Sequence, residues 1–526
     1  MRILLRTTQL FGIVTSLVLP FSSWAQVLSH QQLDSLATRV MGTFNVPGLA
    51  LAIIKDGQVL YAQGYGVRVV NARQPVTANT LFAIASNSKA FTAAALGVLV
   101  DEGKLGWDDK VLDYLPDFRM SDPYVTADFT IRDLLTHRSG LGPAAGDLMR
   151  TPDSTAFTIP DCIHNLRYLK PVAPFRSRFA YDNILYLVAG EVVARVSGLS
   201  WDDFVEQGLL GPLQMRDSRA AYRRINLKKN PNVVLGHRLV AGQLQALAGP
   251  AVELDAGAGG IYASAADLSR WMLVQLTGGA YGPGQRLFSA AVAKEMWTPQ
   301  VPIPTSQDGV YHTHFGAYGL GWFLVDERGY KVVFHTGGDE GQLSQITLVP
   351  ELGLGIAVLT NQEANGATDA LTEQIADGYL GLRGTNRVQE WATRRQAHQA
   401  TDTAAAAVWR EVAHRRAAAN PAVTVPGNAY LGTYRDPWFG EVRISLRQGK
   451  LWFQALKSPQ LRGPLLPYRG NTFAVRWVNP QIKADAFVIF ALNARGQANA
   501  MTMQAISVTA SPAYDFQDLD FHRVAK

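Results

Sequence analysis

The sequence predicts an α+β domain, in which helices flank an antiparallel sheet and form a helical subdomain, followed by a small all-β barrel domain. Three observations lead to this fold class. Hairpin signatures lie at both ends of residues 30–383, amphipathic helical patterns fill the interval, and short alternating segments follow a polar helical stretch. The 526 residues allow several domains, since a domain takes roughly 100–200 residues.

The first zone begins with a helical pattern over 31–44 and continues with paired apolar runs. Residues 48–55 and 59–64 flank an Asp-Gly turn, and residues 345–349 and 355–360 flank a second turn. Two apolar runs about such a turn are typical of a β-hairpin. We therefore expect the terminal strands of this zone to share one sheet, with the helices inserted between them.

A polar helical stretch, Asn386–Asn420, follows and carries six arginines against three acidic residues. It could be a helix that binds an anionic surface or a nucleic acid, but a solvated linker helix is the simpler interpretation. Short strand patterns then recur over 440–446, 451–454, 473–477 and 486–490, which is typical of a small antiparallel barrel or sandwich.

The N-terminus has the features of a secretory signal peptide. Arg2 and Arg6 precede an apolar stretch from Leu10 to Leu19, and small residues end the segment at Ala25. The apolar stretch is shorter than the ~20 residues that a membrane-spanning helix needs. We expect cleavage after Ala25 and a periplasmic or extracellular protein without a stable membrane span.

These signals divide the chain into a signal peptide (1–25), a catalytic domain (26–384), a helical linker (385–424) and a C-terminal β-barrel (425–526). The net charge of +6 includes two charges of the signal peptide and three of the linker, so it does not indicate a nucleic-acid partner. The chain has a single cysteine, Cys162, which excludes an internal disulfide and a cysteine-cluster metal site.

The first candidate for chemistry is Ser86-Asn-Ser-Lys89, at the start of a strongly predicted helix. Residues i and i+3 lie on the same face of a helix, so Lys89 can reach the oxygen of Ser86. A serine near a helix N-terminus with an adjacent amine can act as an activated nucleophile. Alternatively, Ser86 is only a capping residue and Lys89 a solvated one.

Two further motifs supply polar groups. Tyr181-Asp-Asn183 precedes an apolar helical run, so the phenol could move a proton and the amide could orient a substrate amide. His335-Thr336-Gly337-Gly338 follows a strand pattern, and its glycines allow a ligand close to the backbone. The alternatives are a packed tyrosine beside a capping Asn183, and a tight turn with an incidental histidine.

Taken together and in this order, the three motifs resemble those of the serine β-lactamase and penicillin-binding-protein superfamily. The similarity is greatest to the class C β-lactamase-like branch, which includes D-alanyl carboxypeptidases, D-aminopeptidases and esterases. The segments 130–141 and 256–268 resemble further parts of that family. The residues from Tyr430 onward resemble the lipocalin-like barrel that is appended to many such hydrolases.

The resemblance implies a mechanism through an acyl-enzyme. Ser86 would attack an acyl carbonyl after losing its proton to Lys89, with Tyr181 as a partner base and proton shuttle. Asn183, Thr336, Gly337 and Gly338 would bind the substrate, and the backbone N–H groups of Ser86 and Gly338 would form the oxyanion hole. Water would then release the acyl group.

His335 stands where many members of the family carry lysine. A lysine suits the carboxylate of penicillins and of D-Ala-terminated peptides, whereas a histidine with an ordinary pKa of about 6.5 is mostly neutral at pH 7. We expect His335 to assist on the Tyr181 side and activity to show an inflection at mildly acidic to neutral pH. The departure favours peptidase or esterase activity over β-lactamase activity.

The sequence therefore predicts a serine hydrolase without a cofactor or metal, most simply a D-aminopeptidase or D-Ala carboxypeptidase-like enzyme. An esterase and a weak class C β-lactamase are the alternatives, and a non-catalytic penicillin-binding-type sensor or scaffold is an alternative of another class. The expected partners are small peptide, ester or β-lactam substrates, and a homo-oligomer of the chain is left open. His312 and His314 lack the neighbouring ligands of a metal site, and His137-Arg138 is interpreted as a helix-end pair.

Overall fold

The computed structural model describes residues 27–152, 155–240, 242–249, 254, 256–305, 309–400, 403–418, 427–482 and 484–525. The predicted signal peptide, residues 1–25, lies outside these residues. The predicted fold class is confirmed: an α+β domain with a β-lactamase-like sheet and helices precedes a closed eight-stranded barrel.

The described helices cover the two faces of the sheet, build the helical subdomain and lead to the barrel. They are α1 (His30–Phe44), α2 (Ser88–Asp101), α3 (Val111–Tyr114), α4 (Pro123–Asp128), α5 (Ile131–Leu135), α6 (Ile159–Asn165), α7 (Ile184–Ser197), α8 (Trp201–Val205), α9 (Ala256–Gly259), α10 (Ala265–Leu276), α11 (Ala290–Met296), α12 (Ala367–Tyr379), α13 (Arg387–Ala400) and α14 (Thr403–Ala418).

The strands of the first domain form a main sheet and three small two-stranded sheets. They are β1 (Gly48–Lys55), β2 (Gln58–Gly66), β3 (Phe82–Ala83), β4 (His237–Val240), β5 (Gln243–Ala246), β6 (Tyr262–Ala263), β7 (Ala280–Gly282), β8 (Gln285–Arg286), β9 (Val301–Pro302), β10 (Gly316–Tyr318), β11 (Phe323–Glu327), β12 (Tyr330–Asp339), β13 (Gln342–Val349) and β14 (Leu354–Thr360). The main sheet has the spatial order β2-β1-β14-β13-β12-β11-β10-β9 and its pairs are antiparallel. Both predicted hairpins are present, and β1 pairs with β14, so the two ends of the zone share one sheet as predicted.

Strand β1 is a continuous apolar run because both of its faces are buried. Its alternate residues Leu49, Leu51 and Ile53 pack with helix α1, while Ala50, Ala52 and Ile54 pack toward the helical subdomain. A strand that is buried on both faces needs apolar side chains at every position. The sheet is therefore the middle layer of the domain.

Helix α2 is the central helix of the subdomain. Most of its residues are buried, and the ring of Phe91 stacks on Trp271 of α10 with centroids 3.7 Å apart. The helix ends as predicted near Gly103, whose backbone has a φ of +67° and whose N–H donates to the carbonyl of Val100. This burial brings the first turn of α2 to the edge between the subdomain and the sheet.

The stretch predicted as one polar linker helix contains two helices, α13 and α14, and residues 401–402 between them lie outside the described residues. Val388 of α13 is buried against α1 and α12, and Arg387 forms a 2.7 Å ion pair with Asp377. Val412 of α14 packs on the barrel instead. The sequence interpretation as a solvated linker misses these contacts, because each helix has only a narrow apolar stripe.

The C-terminal strands close into a barrel in chain order. They are β15 (Gly432–Asp436), β16 (Gly440–Arg447), β17 (Lys450–Ala455), β18 (Arg462–Arg469), β19 (Thr472–Val475), β20 (Ala486–Leu492), β21 (Ala498–Ala505) and β22 (Asp520–Arg523). Its core is built from large side chains that include Tyr434, Phe453, Phe473 and Phe521. Side chains fill an eight-stranded barrel of this kind, and closure leaves no free sheet edge.

Gly337 on β12 sets how closely the sheet approaches the turn before α2. A Cβ at this position would overlap the carbonyl oxygen of Ile84 and the hydroxyl of Ser344. A Cβ at the next residue, Gly338, would meet only Leu343 at an ordinary 3.4 Å. Glycine is therefore required at 337 for packing, but not at 338.

We predict that Gly337→Ala lowers the free energy of unfolding by about 1–3 kcal/mol, because β12 and the turn at Ile84 must move apart. The matched variant Gly338→Ala should change it by no more than about 0.5 kcal/mol. Denaturant unfolding of both variants measures the difference. Equal unfolding midpoints in the two variants would contradict the close approach of β12.

Candidate active site

Ser86 lies in a 3₁₀ turn, Ala85–Asn87, between β3 and α2. The residues on either side of it are buried, whereas Ser86 itself is partly exposed. Ala85 has a φ of +47°, a strained value for a residue with a side chain, which is typical of functional sites. The turn is tied to β13, because Ser344 donates to the carbonyl of Ile84 (2.7 Å) and accepts from Asn87 Nδ2 (2.8 Å).

Lys89 lies one turn further along and is completely buried. Its Nζ is 2.9 Å from Ser86 Oγ, 2.7 Å from Asn183 Oδ1 and 3.0 Å from the carbonyl oxygen of Ala258. An amine that is buried away from water needs such partners. The predicted approach of Lys89 to Ser86 is therefore present, with a partner from each of two other segments.

Asn183 connects Lys89 to a buried acid. It precedes helix α7, its Oδ1 accepts from Lys89, and its Nδ2 donates to Asp147 Oδ2 at 2.7 Å. These two contacts fix which end of the amide faces the lysine. Asn183 is partly exposed, so the amide remains at the surface of the site.

Tyr181 lies beside both residues of the first motif. Lys89 Nζ is 4.9 Å from the centroid of its ring. Burial raises the pKa of Tyr181 above its ordinary value of 10, and the neighbouring Ser86 side chain opposes this only in part. The phenol is therefore protonated at neutral pH.

His335 is buried behind the site and has a different partner from the one we expected. Its Nδ1 lies 2.6 Å from the carbonyl oxygen of Thr336, to which it donates, and its Nε2 accepts from the hydroxyl of Tyr318 at 3.0 Å. Its ring centroid is 6.2 Å from that of Tyr181. Burial first, and then the charge of Lys89, lower the pKa of His335 to about 3. The expected inflection of activity near neutral pH is therefore wrong for this histidine, which is neutral throughout that range.

The rest of the His335 motif is divided between the two faces of β12. Gly337 is buried on the same side as His335, against the turn that carries Ser86. Thr336 is exposed, and strand alternation directs its side chain to the opposite face. Gly338 lies at the exposed end of the strand and lines the cleft described below.

His137, which was interpreted as half of a helix-end pair, packs against Tyr181 and Tyr318. It follows α5 with a φ of +53°, is completely buried, and its ring centroid is 4.2 Å from that of Tyr181 and 4.6 Å from that of Tyr318. Its Nδ1 accepts from the backbone N–H of Asp182 at 3.0 Å. Burial lowers its pKa well below the ordinary value. It is a neutral packing partner of the Tyr181 loop.

A cleft of about 500 Å³ opens beside this group. Gly338 lines it on the side of the sheet, Gly259 and Gly260 on the side of α9, and Arg150 next to the turn that contains Asp147. Ser511, Ala513 and Tyr514 of the C-terminal domain line it as well. A substrate in this cleft would contact both domains.

The sequence analysis did not identify three contributors to the site: Asp147, the carbonyl of Ala258 and the residues of the C-terminal domain. Asp147 lies in a segment, 136–158, whose sequence has no periodic pattern. The carbonyl of Ala258 belongs to the backbone, so the residue type does not indicate its role. The glycines at 257, 259 and 260 were a usable signal, because a Cβ at Gly257 would overlap the carbonyl of Tyr186 in α7. Gly257 therefore allows α9 to pack closely against α7.

Within the described residues, no three histidine, cysteine or acidic side chains converge as metal ligands. In the same part of the chain no single helix is long and apolar enough to cross a membrane, and one bent pair, Ile184–Ser197 with Trp201–Leu210, passes that test only by length and composition.

Curated relatives are similar to the chain over different shares of its length. Unguisins hydrolase ungD of Aspergillus violaceofuscus is 27% identical over 445 residues, which cover 78% of this chain and 75% of that protein. Protein flp of Staphylococcus aureus is 27% identical over 341 residues, which cover 63% of each protein.

Two solved structures share the fold at lower identity. The octameric penicillin-binding protein homologue from Pyrococcus abyssi superposes with a TM-score of 0.60 at 23% identity and covers 94% of this chain and all of that one. A class C beta-lactamase from Rhodobacter sphaeroides has a TM-score of 0.54 at 21% identity and covers 66% of this chain and 99% of its own.

Family models match both parts of the chain. The model described as Beta-lactamase matches residues 33–380, and a domain of unknown function, DUF3471, matches residues 416–523. Because the first model covers well over half of the sequence, the chain belongs to the beta-lactamase family.

Proposed function

We propose that the protein is an exported serine hydrolase that acts through an acyl-enzyme, with D-amino-acid amides or peptides as its substrates. The observation that carries the proposal is the 2.9 Å contact between Lys89 Nζ and Ser86 Oγ. A serine oxygen next to a buried amine is the arrangement of an activated nucleophile. The membership in a family of serine hydrolases and the hydrolase among the relatives support the same reaction class.

In the proposed reaction, Lys89 in its neutral form takes the proton of Ser86 as the oxygen attacks the substrate carbonyl. The protonated phenol of Tyr181, which lies beside Ser86 and Lys89, delivers a proton to the leaving group and regains one from the Lys89 ammonium. Asn183 holds the substrate amide, and the backbone N–H groups of Ser86 and Gly338 stabilise the oxyanion. Water then attacks the acyl-serine and releases the product.

The charge of the cleft favours substrates without a carboxylate at this end. Arg150 and Arg238 line the cleft but are bridged to Asp147 (3.4 Å) and Glu363 (2.7 Å). Asp339 and Glu340 add two carboxyl groups beside Gly338. Since His335 is neutral as well, the described residues that line the cleft carry no surplus positive charge, which favours an aminopeptidase over a carboxypeptidase or a β-lactamase.

Export remains part of the proposal. It is supported by the basic start, the apolar stretch and the small residues that end at Ala25. N-terminal sequencing of the protein recovered from a periplasmic fraction would test it, with residue 26 expected as the first residue.

The first prediction concerns the nucleophile. A fluorophosphonate probe should add to the protein once, at Ser86, and Ser86→Ala and Lys89→Met should each lower turnover of D-alaninamide by at least about 10³-fold. Intact-mass spectrometry and amide release measure the two effects. The control is Ser35→Ala, an exposed serine of α1 whose loss should change neither result. Normal labelling of Ser86→Ala would reject Ser86 as the nucleophile.

The second prediction concerns the charge of the substrate. D-Ala-D-Ala amide should be hydrolysed about tenfold more efficiently than D-Ala-D-Ala with a free carboxylate, because like charges near Glu340 repel. Glu340→Gln should reduce that ratio, mainly by raising kcat/KM for the substrate with the free carboxylate. Steady-state kcat/KM values for the pair of substrates give the ratio, and a preference for the free acid in the unaltered protein would contradict the assignment.

The third prediction concerns pH. Because the pKa of His335 is about 3 in the folded protein and about 6.5 when unfolded, the unfolded state binds the extra proton as the pH falls below 6.5. The stability contributed by the neutral imidazole is therefore present above pH 6.5 and is lost toward pH 3. His335→Gln should reduce the loss of unfolding free energy between pH 7 and pH 5 by about 2 kcal/mol.

The shape of the pH–activity profile between pH 6 and 8 should be the same in His335→Gln as in the unaltered protein. His314→Gln, at an exposed histidine, is the control for both measurements. An inflection near pH 6.5 that disappears only in His335→Gln would show that His335 titrates during catalysis.

A further inference from the structure

The loop between β21 and β22, residues 506–519, leaves the barrel and reaches the catalytic domain. Ser511, Ala513 and Tyr514 line the cleft opposite Gly338 and Gly260. Ser511 is exposed there, while Tyr514 is buried at the base of the loop. The C-terminal domain thus supplies a wall of the cleft.

Asp515 of this loop forms hydrogen bonds with the turn that contains Asp147. It is completely buried, its Oδ2 accepts from the backbone N–H of Gly146 at 2.7 Å, and its Oδ1 accepts from that of Leu148 at 3.0 Å. These two N–H groups flank Asp147 at the start of the 3₁₀ turn Asp147–Met149. A carboxylate that accepts from two backbone donors holds a turn of this kind in one conformation.

Hydrogen bonds connect the turn that contains Asp147 to Lys89 and Ser86. Asp147 Oδ2 accepts from Asn183 Nδ2 (2.7 Å), and Asn183 Oδ1 accepts from Lys89 Nζ (2.7 Å), which contacts Ser86. A displacement of the turn would therefore move the amide that orients the lysine. Asp515 does not touch the nucleophile, so its role is to position other residues.

Independent contacts dock the barrel next to this loop. Asn165 donates to the carbonyl of Trp438 (2.7 Å), the N–H of Ala156 donates to the carbonyl of Lys457 (2.7 Å), and Lys457 forms an ion pair with Asp161 (3.1 Å). The two domains are therefore held together away from the cleft as well, and the position of the loop does not depend on Asp515 alone.

We propose that the 506–519 loop of the C-terminal domain is part of the active site, where Asp515 positions Asn183 and Lys89 and the exposed side of the loop limits the size of the substrate. This inference rests on the proposed function, because it assigns the residues that tune that reaction. It gives the barrel a catalytic purpose that a tether or a separate binding module would not have.

The test of positioning is Asp515→Asn in the full chain. The variant loses an acceptor for one backbone N–H, so the rate of fluorophosphonate addition to Ser86 should fall about tenfold, and kcat for D-alaninamide should fall more than KM rises. Asp436→Asn is the matched control, since Asp436 is a buried barrel residue that accepts from the N–H groups of Trp438, Phe439 and Asp520. It should lower the unfolding temperature without slowing the reaction.

The outcomes separate the two proposals. If the unaltered protein gives no Ser86 adduct and no turnover, the proposed function fails. If it reacts and Asp515→Asn reacts equally fast, only the positioning role of Asp515 fails. Equal slowing by Asp436→Asn would also overturn that role, because general weakening of the barrel would then account for the effect.

The proposed limit on substrate size is tested by adding a large side chain to the loop where it lines the cleft. Ser511→Trp should lower kcat/KM for p-nitrophenyl octanoate relative to p-nitrophenyl acetate at least fivefold, because the added ring narrows the cleft. Val508→Trp, at a residue of the same loop that is 81% exposed, should leave the ratio unchanged. An unchanged ratio in Ser511→Trp would show that the loop does not limit the substrate.

Discussion

The burial of Lys89 is the constraint on which the arrangement of the site depends. An amine without exposed surface must find oxygen atoms in the protein to replace water, because an unpaired buried charge costs several kcal/mol. Its partners come from the turn before α2, from the residue before α7 and from α9. The three segments are far apart in the chain, so the requirements of one amine fix their relative positions.

The two histidines near Lys89 are neutral. Their own burial first, and then the charge of Lys89, lower the pKa values of His137 and His335. A lysine in place of His335 would be a second buried cation and would need an acid or a substrate carboxylate beside it. The neutral imidazole bonds to Tyr318 and Thr336 instead, which leaves Lys89 as the amine next to Ser86.

The sequence predicts those parts of the molecule that local patterns encode. The hairpins at β1 and β13 follow from apolar runs about tight turns, and the contact between Ser86 and Lys89 follows from their spacing at the start of α2. Strands β15, β18, β21 and β22 are not among the predicted strand segments. Strand β18 contains Pro464 and Pro467, which are unusual within a strand, and its register with β19 shifts between Pro467 and Arg469.

His335 lies on a strand, as its sequence context predicts, but its hydrogen-bond partner Tyr318 was not predicted. Its contact with Tyr318 depends on the pairing of β10, β11 and β12, and strand order across a sheet is a tertiary property that one motif does not contain. The contribution of Asp147 likewise depends on an irregular segment of the chain. The contact of Asp515 with Gly146, 369 residues away along the chain, is beyond any local pattern.

A cluster of acids behind Tyr181 and Asn183 explains why this segment needs support from a second domain. Burial and the neighbouring Asp147 raise the pKa of Asp182 to about 8, and the same two causes raise that of Asp515 well above its ordinary value. A neighbouring carboxylate disfavours ionisation of a carboxyl group, and N–H donors oppose that effect. The N–H groups of Gly146 and Leu148 donate to Asp515, and that of Ile184 donates to Asp182. These hydrogen bonds connect the turn at Asp147 to the 506–519 loop of the barrel, and they fix the Asp182 side chain at the start of α7.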